Sequence, residues 1–282
     1  MKIPDACQLA CIIETSAFKP GNVYPGRKGY TDMVVSGVVL ARTLRECLAK
    51  DIPLGYMIKK AVKDRAQIIS ENTNLGIILL YVPVAVAAYK GSVKKALHDV
   101  THKTTVKDAV NVAKAIQASG AYVGIPQKGP DIRNETAIKE IDDEELTLID
   151  LFLLSSEWDT IAAEWVHGFP VTLSGAGYLV EGKSILGLYM DILSEYPDSL
   201  VQRRFGKKIA IKISKKAQKL KNSSDTELKK WDSHLYRKGI NPGTTADLVA
   251  SSLFVALLQK EDLLNRFVDE IRTGIWVDII KQ

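Results

Sequence analysis

Apolar residues recur at spacings of three and four along nearly the whole chain, and strict alternation of apolar with polar residues over five or more positions is hard to find. The first pattern places one apolar stripe on a helix; the second is what a half-buried strand requires. The chain therefore reads as all-α. Its longest apolar run, 77–88, falls short of the ~20 residues that cross a bilayer and contains Pro83. That run is expected to be a buried core helix, with no membrane partner.

Punctuation divides this pattern into elements. Pro4 suits a first helical turn, with Leu9, Ile12, Ile13 and Ala17 as an inward face until Pro20 and Gly21 end the helix. Asp32 is placed to cap a second helix, Pro53 opens a third that ends near Asn72, and a fourth starts at the turn 72–76. Thr105 and Asp108 have the spacing of a capping box. Glycines and prolines between 120 and 130 make a long loop, the best candidate linker, followed by acidic residues at 140–145. Further helices are predicted over 146–166, 171–195, 207–221, 226–237, 245–259 and 262–271. Neither half shows a complete core of its own and no internal repeat is visible, so residues 1–282 are expected to form a single multi-helix domain.

The net charge of +5 is local. Nine of the 38 basic residues fall between 203 and 221 with no acid among them, leaving the remainder slightly acidic. Ile209, Ile211, Ile213, Ala217 and Leu220 give this segment an inner side, and only Phe205 offers a stacking ring, so a solvated amphipathic helix explains its lysines better than nucleic acid does. Arg203 and Arg204 follow Asp198-Ser199-Leu200 at a helix start and suit an anion. Cys7, Cys11 and Cys47 are too few for a disulfide framework, and Asp5 and Glu14 interrupt any leader pattern at the start, so a cytoplasmic location is expected.

No Walker loop, Gly-x-Gly-x-x-Gly, His-Glu-x-x-His or Gly-x-Ser-x-Gly is present. Three polar turns at helix boundaries stand out instead: Lys19-Pro20-Gly21-Asn22-Val23, Asn72-Thr73-Asn74-Leu75-Gly76, and Asn241-Pro242-Gly243-Thr244-Thr245-Ala246-Asp247-Leu248. Helix starts expose unpaired N–H groups and a partial positive charge, so such turns can hold phosphate. Plain capping, with Thr244 and Asp247 as a capping box, accounts for each turn taken alone. Asp159 and Glu164 bracket a segment suited to burial, and together with Glu14, Asp32 and Asp247 they make an oxygen-rich set able to bind Mg²⁺ carrying a polyphosphate. The competing reading gives Asp32 and Asp247 to helix caps and pairs Glu14 and Glu164 with lysines. His98 and His102 have the i, i+4 spacing of zinc ligands, but Lys94, Asp99 and Lys103 around them mark a solvated face, and no zinc is assigned.

Taken in order, Glu14, Lys19-Pro20-Gly21-x-Val23, Asp32-Met33, Asn72-Thr73-x-x-Gly76, Asp159-x-Ile161-Ala162-x-Glu164, Asp198-Ser199-Leu200 with Arg203, and the 241–248 motif resemble the triphosphoribosyl-dephospho-coenzyme A synthase family. The resemblance implies an all-helical fold and a transferase that uses ATP as a ribosyl donor. It joins the ribose 5-triphosphate to the 2′-hydroxyl of 3′-dephospho-CoA, or of a related cofactor, and releases adenine in prosthetic-group biosynthesis. It further implies Asp159 and Glu164 as catalytic residues and Glu14, Asp32 and Asp247 as Mg²⁺ ligands. Substrate phosphates fall to Lys19, Gly21, Asn72, Thr73, Asn74, Arg203, Asn241, Gly243, Thr244 and Thr245. Where many members carry His-Lys after Asn-Thr, this chain has Asn74-Leu75. The second reading, from another class, is a nucleotide-sensing protein that binds ATP without consuming it. The oligomeric state is left open by both.

Overall fold

The computed structural model describes residues 1–273 except 51, 70–73, 125 and 127. Among the described residues there are helices and no strand, as the periodicity requires. In chain order the helices are α1 (Ile3–Ser16), α2 (Tyr30–Cys47), α3 (Leu54–Ala66), α4 (Leu75–Tyr89), α5 (Val93–His102), α6 (Val106–Ser119), α7 (Ala137–Asp143) and α8 (Leu148–Leu153). There follow α9 (Thr160–His167), α10 (Pro170–Val180), α11 (Ile185–Glu195), α12 (Ser199–Phe205), α13 (Lys207–Leu220), α14 (Asp225–Arg237), α15 (Gly243–Gln259) and α16 (Leu263–Arg272).

The helices group into two compact units. One comprises Met1, Leu9–Val34 and Val171–Gln282; the other comprises Lys2–Gln8 and Val35–Pro170. The loop at 120–130 and the acidic stretch after it lie inside the second unit, so the candidate linker does not mark the division.

In the second unit the core is α4, apolar on every side and buried from Ile77 to Ala85. Pro83 cannot donate to the carbonyl of Leu79 four residues earlier. The indole Nε1 of Trp165, itself fully buried, supplies the missing donor at 3.0 Å. α3 packs on α6 at a crossing that needs Gly55, because a Cβ there would fall inside the Asp108 backbone. Asp108 meanwhile accepts from the Gly55 N–H at 2.7 Å and closes the predicted capping box with Thr105. No single helix among the described residues is long and apolar enough to cross a membrane.

In the other unit the core is α15, buried at every position from Thr244 to Leu257 except Asp247. α11 and α12 pack on it, and both also pack on α13. The lysines of α13 face outward while Ala210, Ile213, Ser214, Ala217 and Leu220 face in; Ile209 and Ile211, expected on the inner side, are only half-buried.

Several predicted boundaries are corrected. α2 starts at Tyr30, so Asp32 sits in its first turn and not at the cap. The helix expected over 146–166 is α8 and α9, because Thr147 with Asp150 begins one and Asp159 caps a second. The helix expected over 171–195 breaks at Gly182, whose φ is +94°, and Ser184 caps the next. Ile13 of α1 and Ala17 just beyond its end are buried as expected, but Leu9 and Ile12 are only half-buried, and Ala6, Cys7, Ala10 and Cys11 fill the inward face.

Candidate functional site

The polar turn after α1 is built around its lysine. A helix leaves its last carbonyls without partners, and Lys19 folds back onto them: Nζ donates to the carbonyl of Glu14, to that of Ala17 at 2.9 Å and to that of Val23 at 3.5 Å. It also lies 3.1 Å from Glu14 Oε1, and both side chains are sealed from solvent. Burial holds the Lys19 ammonium below its ordinary pKa, against the opposing pull of Glu14. The next residues require Gly21. Its φ is +82°, and a Cβ would lie 2.9–3.0 Å from Leu235 and from the Ile240 carbonyl oxygen.

What fixes this turn is a carboxylate far away in sequence. Asp232, buried on α14, accepts from the Gly21 N–H at 2.9 Å through Oδ1. Its Oδ2 accepts from the Tyr24 hydroxyl at 2.8 Å and from the Arg27 guanidinium. Burial and the neighbouring carboxylate both drive the Tyr24 phenol well above its usual range, so it stays protonated and donates. Tyr189 closes the turn from below, its hydroxyl donating to the Pro20 carbonyl at 2.9 Å.

The turn at 241–245 meets the first one. Asn22 Nδ2 donates to Asn241 Oδ1 at 2.9 Å and to the Pro242 carbonyl at 3.4 Å, across 219 positions of sequence. Thr244 and Asp247 do not form the expected capping box; α15 starts at Gly243 with no side-chain cap of its own. Asp198 takes that place. Its Oδ2 accepts from the Thr245 N–H at 2.7 Å and hydroxyl at 2.8 Å, while Oδ1 caps α12 through the Val201 N–H at 2.9 Å. Full burial raises the pKa of Asp198, opposed by these donors and by the charge of Arg203. An internal carboxylate thus occupies the start of α15, where an external anion would otherwise find those donors. Lys19, Gly21, Arg203, Asn241, Gly243, Thr244 and Thr245 all belong to this one unit.

Glu14, Asp32 and Asp247 belong to the same unit as the two turns; Asp159, Glu164 and Asn74 belong to the other. Asp159 caps α9, its Oδ1 accepting from the Ile161 N–H at 2.9 Å and the Ala162 N–H at 3.2 Å; Glu164 is buried one turn further on. Both belong to the second unit, as does Asn74 at the start of α4, buried with no cap bond from its amide. Asn72 and Thr73 lie outside the described residues. Among the described residues no three His, Cys, Asp or Glu gather as a metal cluster. Glu14 is already compensated by Lys19, whereas Asp32 and Asp247 are partly exposed carboxylates of the kind a hydrated Mg²⁺ uses one or two at a time. His98 and His102 stack at 3.9 Å on the exposed face of α5. Five lysines of α13, from Lys208 to Lys219, line with Lys230 and His234 of α14 a groove of about 800 Å³ over Ile211, Leu220 and Trp231.

Arg27, Tyr24 and Asp232 were not among the residues expected from the sequence, although one signal for Asp232 was present. Leu228, Trp231, Asp232 and Leu235 occupy one helical stripe, and an acid on an apolar stripe must have a buried partner.

A solved structure from Archaeoglobus fulgidus, assigned as a triphosphoribosyl-dephospho-CoA synthase, is similar with a TM-score of 0.69 and 28% identity, covering 80% of this chain and 99% of that one. Residues 1–266 match the ATP:dephospho-CoA triphosphoribosyl transferase family, and the chain belongs to that family. No curated protein matches with significance.

Proposed function

We propose that this transferase joins the ribose 5-triphosphate of ATP to the 2′-hydroxyl of 3′-dephospho-CoA and releases adenine, a step in prosthetic-group biosynthesis. The observation that carries the reading is the joining of two polar turns, 219 positions apart, through Asn22 and Asn241. In a family that keeps the triphosphate intact, such a junction serves as a holding site rather than a cleavage site. Asn241, Thr244 and Arg203 supply its donors, while Gly21 and Gly243, whose N–H groups go to Asp232 and to the Asn241 carbonyl, shape the backbone around it. Lys19 and Thr245 set the form of the two turns from inside.

The bond that breaks joins the ribose anomeric carbon to adenine, and the bond that forms joins that carbon to the acceptor oxygen. Positive charge builds on the ribose as adenine departs, so a carboxylate beside it lowers the barrier, and a base takes the hydroxyl proton. We assign these tasks to Asp159 and Glu164. Mg²⁺, when bound, neutralises triphosphate charge, and Asp32 and Asp247 are the residues to hold it. The buried thiols of Cys7, Cys11 and Cys47 and the need for ATP suit the cytoplasm. Nothing in the fold favours the reading in which ATP is bound but not consumed.

The test is chromatographic. With ATP, Mg²⁺ and dephospho-CoA the protein is expected to release adenine, and Asp159→Asn to abolish that release while remaining folded. Formation of ADP without adenine would refute ribosyl transfer.

A further inference from the structure

The junction of the two turns presents a problem of supply. A triphosphate needs cationic donors, yet the ammonium of Lys19 is spent on three carbonyls and Glu14, and both donors of Thr245 are spent on Asp198. One cation on the same loop is held differently. The hydrogen bonds of Arg27 all leave from a single amino group, Nη2, which donates to Asp232 Oδ2 and to the Tyr24 hydroxyl at 2.7 Å. Among the described residues no protein acceptor takes its Nε or Nη1 hydrogens, and 18% of the side chain stays exposed while Asp232 is sealed. The guanidinium carbon lies 3.9 Å from the centre of the Tyr236 ring and 4.9 Å from that of Tyr24. Tyr236 is itself half exposed, so this end of the cluster faces solvent.

A flexible cation loses side-chain freedom when it captures an anion. Arg27 has already lost it: one amino group is tied to a buried carboxylate and the plane is held against aromatic rings, while three N–H bonds point away from those partners. We propose that Arg27 is a substrate-binding residue, its Nε and Nη1 groups taking phosphate oxygens of a polyphosphate, and that Asp232 is the positioning residue which presets it. The assignment rests on the reading of this loop as the triphosphate site and names the group that supplies the missing donors. Asp232 couples the two tasks, since the carboxylate that orients Arg27 also holds the Gly21 N–H.

The experiment is calorimetric titration of the full-length protein with inorganic tripolyphosphate, paired with steady-state assays of adenine release. The variants are Arg27→Met, which keeps the apolar stem against Tyr236, and Arg27→Lys, which keeps the charge and loses the fixed donors. Tripolyphosphate affinity is expected to fall about 10-fold or more in Arg27→Met and by a smaller factor in Arg27→Lys, from the loss of charge-assisted hydrogen bonds. The KM for ATP is expected to rise in parallel while the KM for dephospho-CoA stays within about twofold, a split that a purely structural role does not produce. If Arg27→Met fails to fold, Arg27→Lys decides. Affinity and ATP KM equal to wild type in a folded variant would overturn the assignment, as would a wild-type protein that does not bind tripolyphosphate. Arg27-dependent binding by a wild-type protein that never releases adenine would instead leave the assignment standing and refute the proposed reaction.

Discussion

The loop after α1 carries two ion pairs that differ in almost everything except charge. Glu14 and Lys19 are both sealed, and Lys19 spends its hydrogens on backbone carbonyls of its own segment. Arg27 and Asp232 join distant parts of the chain, and the cation keeps an exposed edge. The difference teaches what each pair is for. A sealed pair can only specify the fold, because its desolvation cost has already been met by its internal partners. A pair open on one side can specify the fold through its buried member and meet a ligand through the other. A lysine in a motif at a helix end invites a phosphate-binding reading, yet here the geometry gives that lysine to the turn and offers an arginine to solvent.

The comparison can be broken by substitution. Lys19→Met leaves a buried carboxylate without its cation and is expected to cost about 3–5 kcal/mol, read by urea denaturation. Adding Glu14→Gln to it is expected to recover part of the loss; a double variant as unstable as the sum of the singles would remove the coupling between them. Asp232→Asn keeps the size of the side chain but replaces one acceptor oxygen by a donor facing Tyr24 or Gly21. A loss of about 1–3 kcal/mol is expected, together with weaker tripolyphosphate binding. Arg27→Met is expected to cost about 1–3 kcal/mol, less than Lys19→Met, since buried Asp232 loses its cation but keeps the Gly21 and Tyr24 donors. If it instead destabilised the protein as much as Lys19→Met, the distinction between a sealed and an open pair would fail.

Two smaller effects sharpen the picture away from this loop. The pKa of Asp198 is raised above 3.8 by burial, so between that value and its folded value the native state binds more protons than the unfolded one. Stability is then expected to fall as pH rises through this window, with Asp198→Asn flattening the dependence in urea titrations across the acid range. Asp159→Asn is expected to change stability least, within about 0.5 kcal/mol, because asparagine caps helices as well as aspartate does. Turnover should nonetheless vanish; normal turnover in this variant would remove Asp159 from the reaction.

The helical class was legible because its signal is a repeating one, and the capping box at Thr105 and Asp108 was legible because both members lie within one turn. What escaped was set by partners distant in sequence. Pro83 is tolerated inside α4 because Trp165 arrives to satisfy Leu79, and no local pattern reports that. The Thr244–Asp247 spacing was a good capping box that lost to Asp198, a stronger acceptor brought in by another helix. The polar turns at 19–23 and 241–245 could be identified as turns of interest, but their junction through Asn22 required the fold. Asp232 was legible in principle from its place on an apolar stripe, whereas Arg27 carries no local signal that separates it from the basic residue beside it.

The central claim is that the triphosphate is a handle kept whole while the sugar–base bond breaks. Supplying ATP labelled in the γ-phosphate, together with dephospho-CoA and Mg²⁺, and weighing the products tests it most directly. The account predicts that the label moves intact onto the CoA-derived product, one adenine appearing for each label transferred. Label released as inorganic phosphate, with the adenosine left whole, would contradict it.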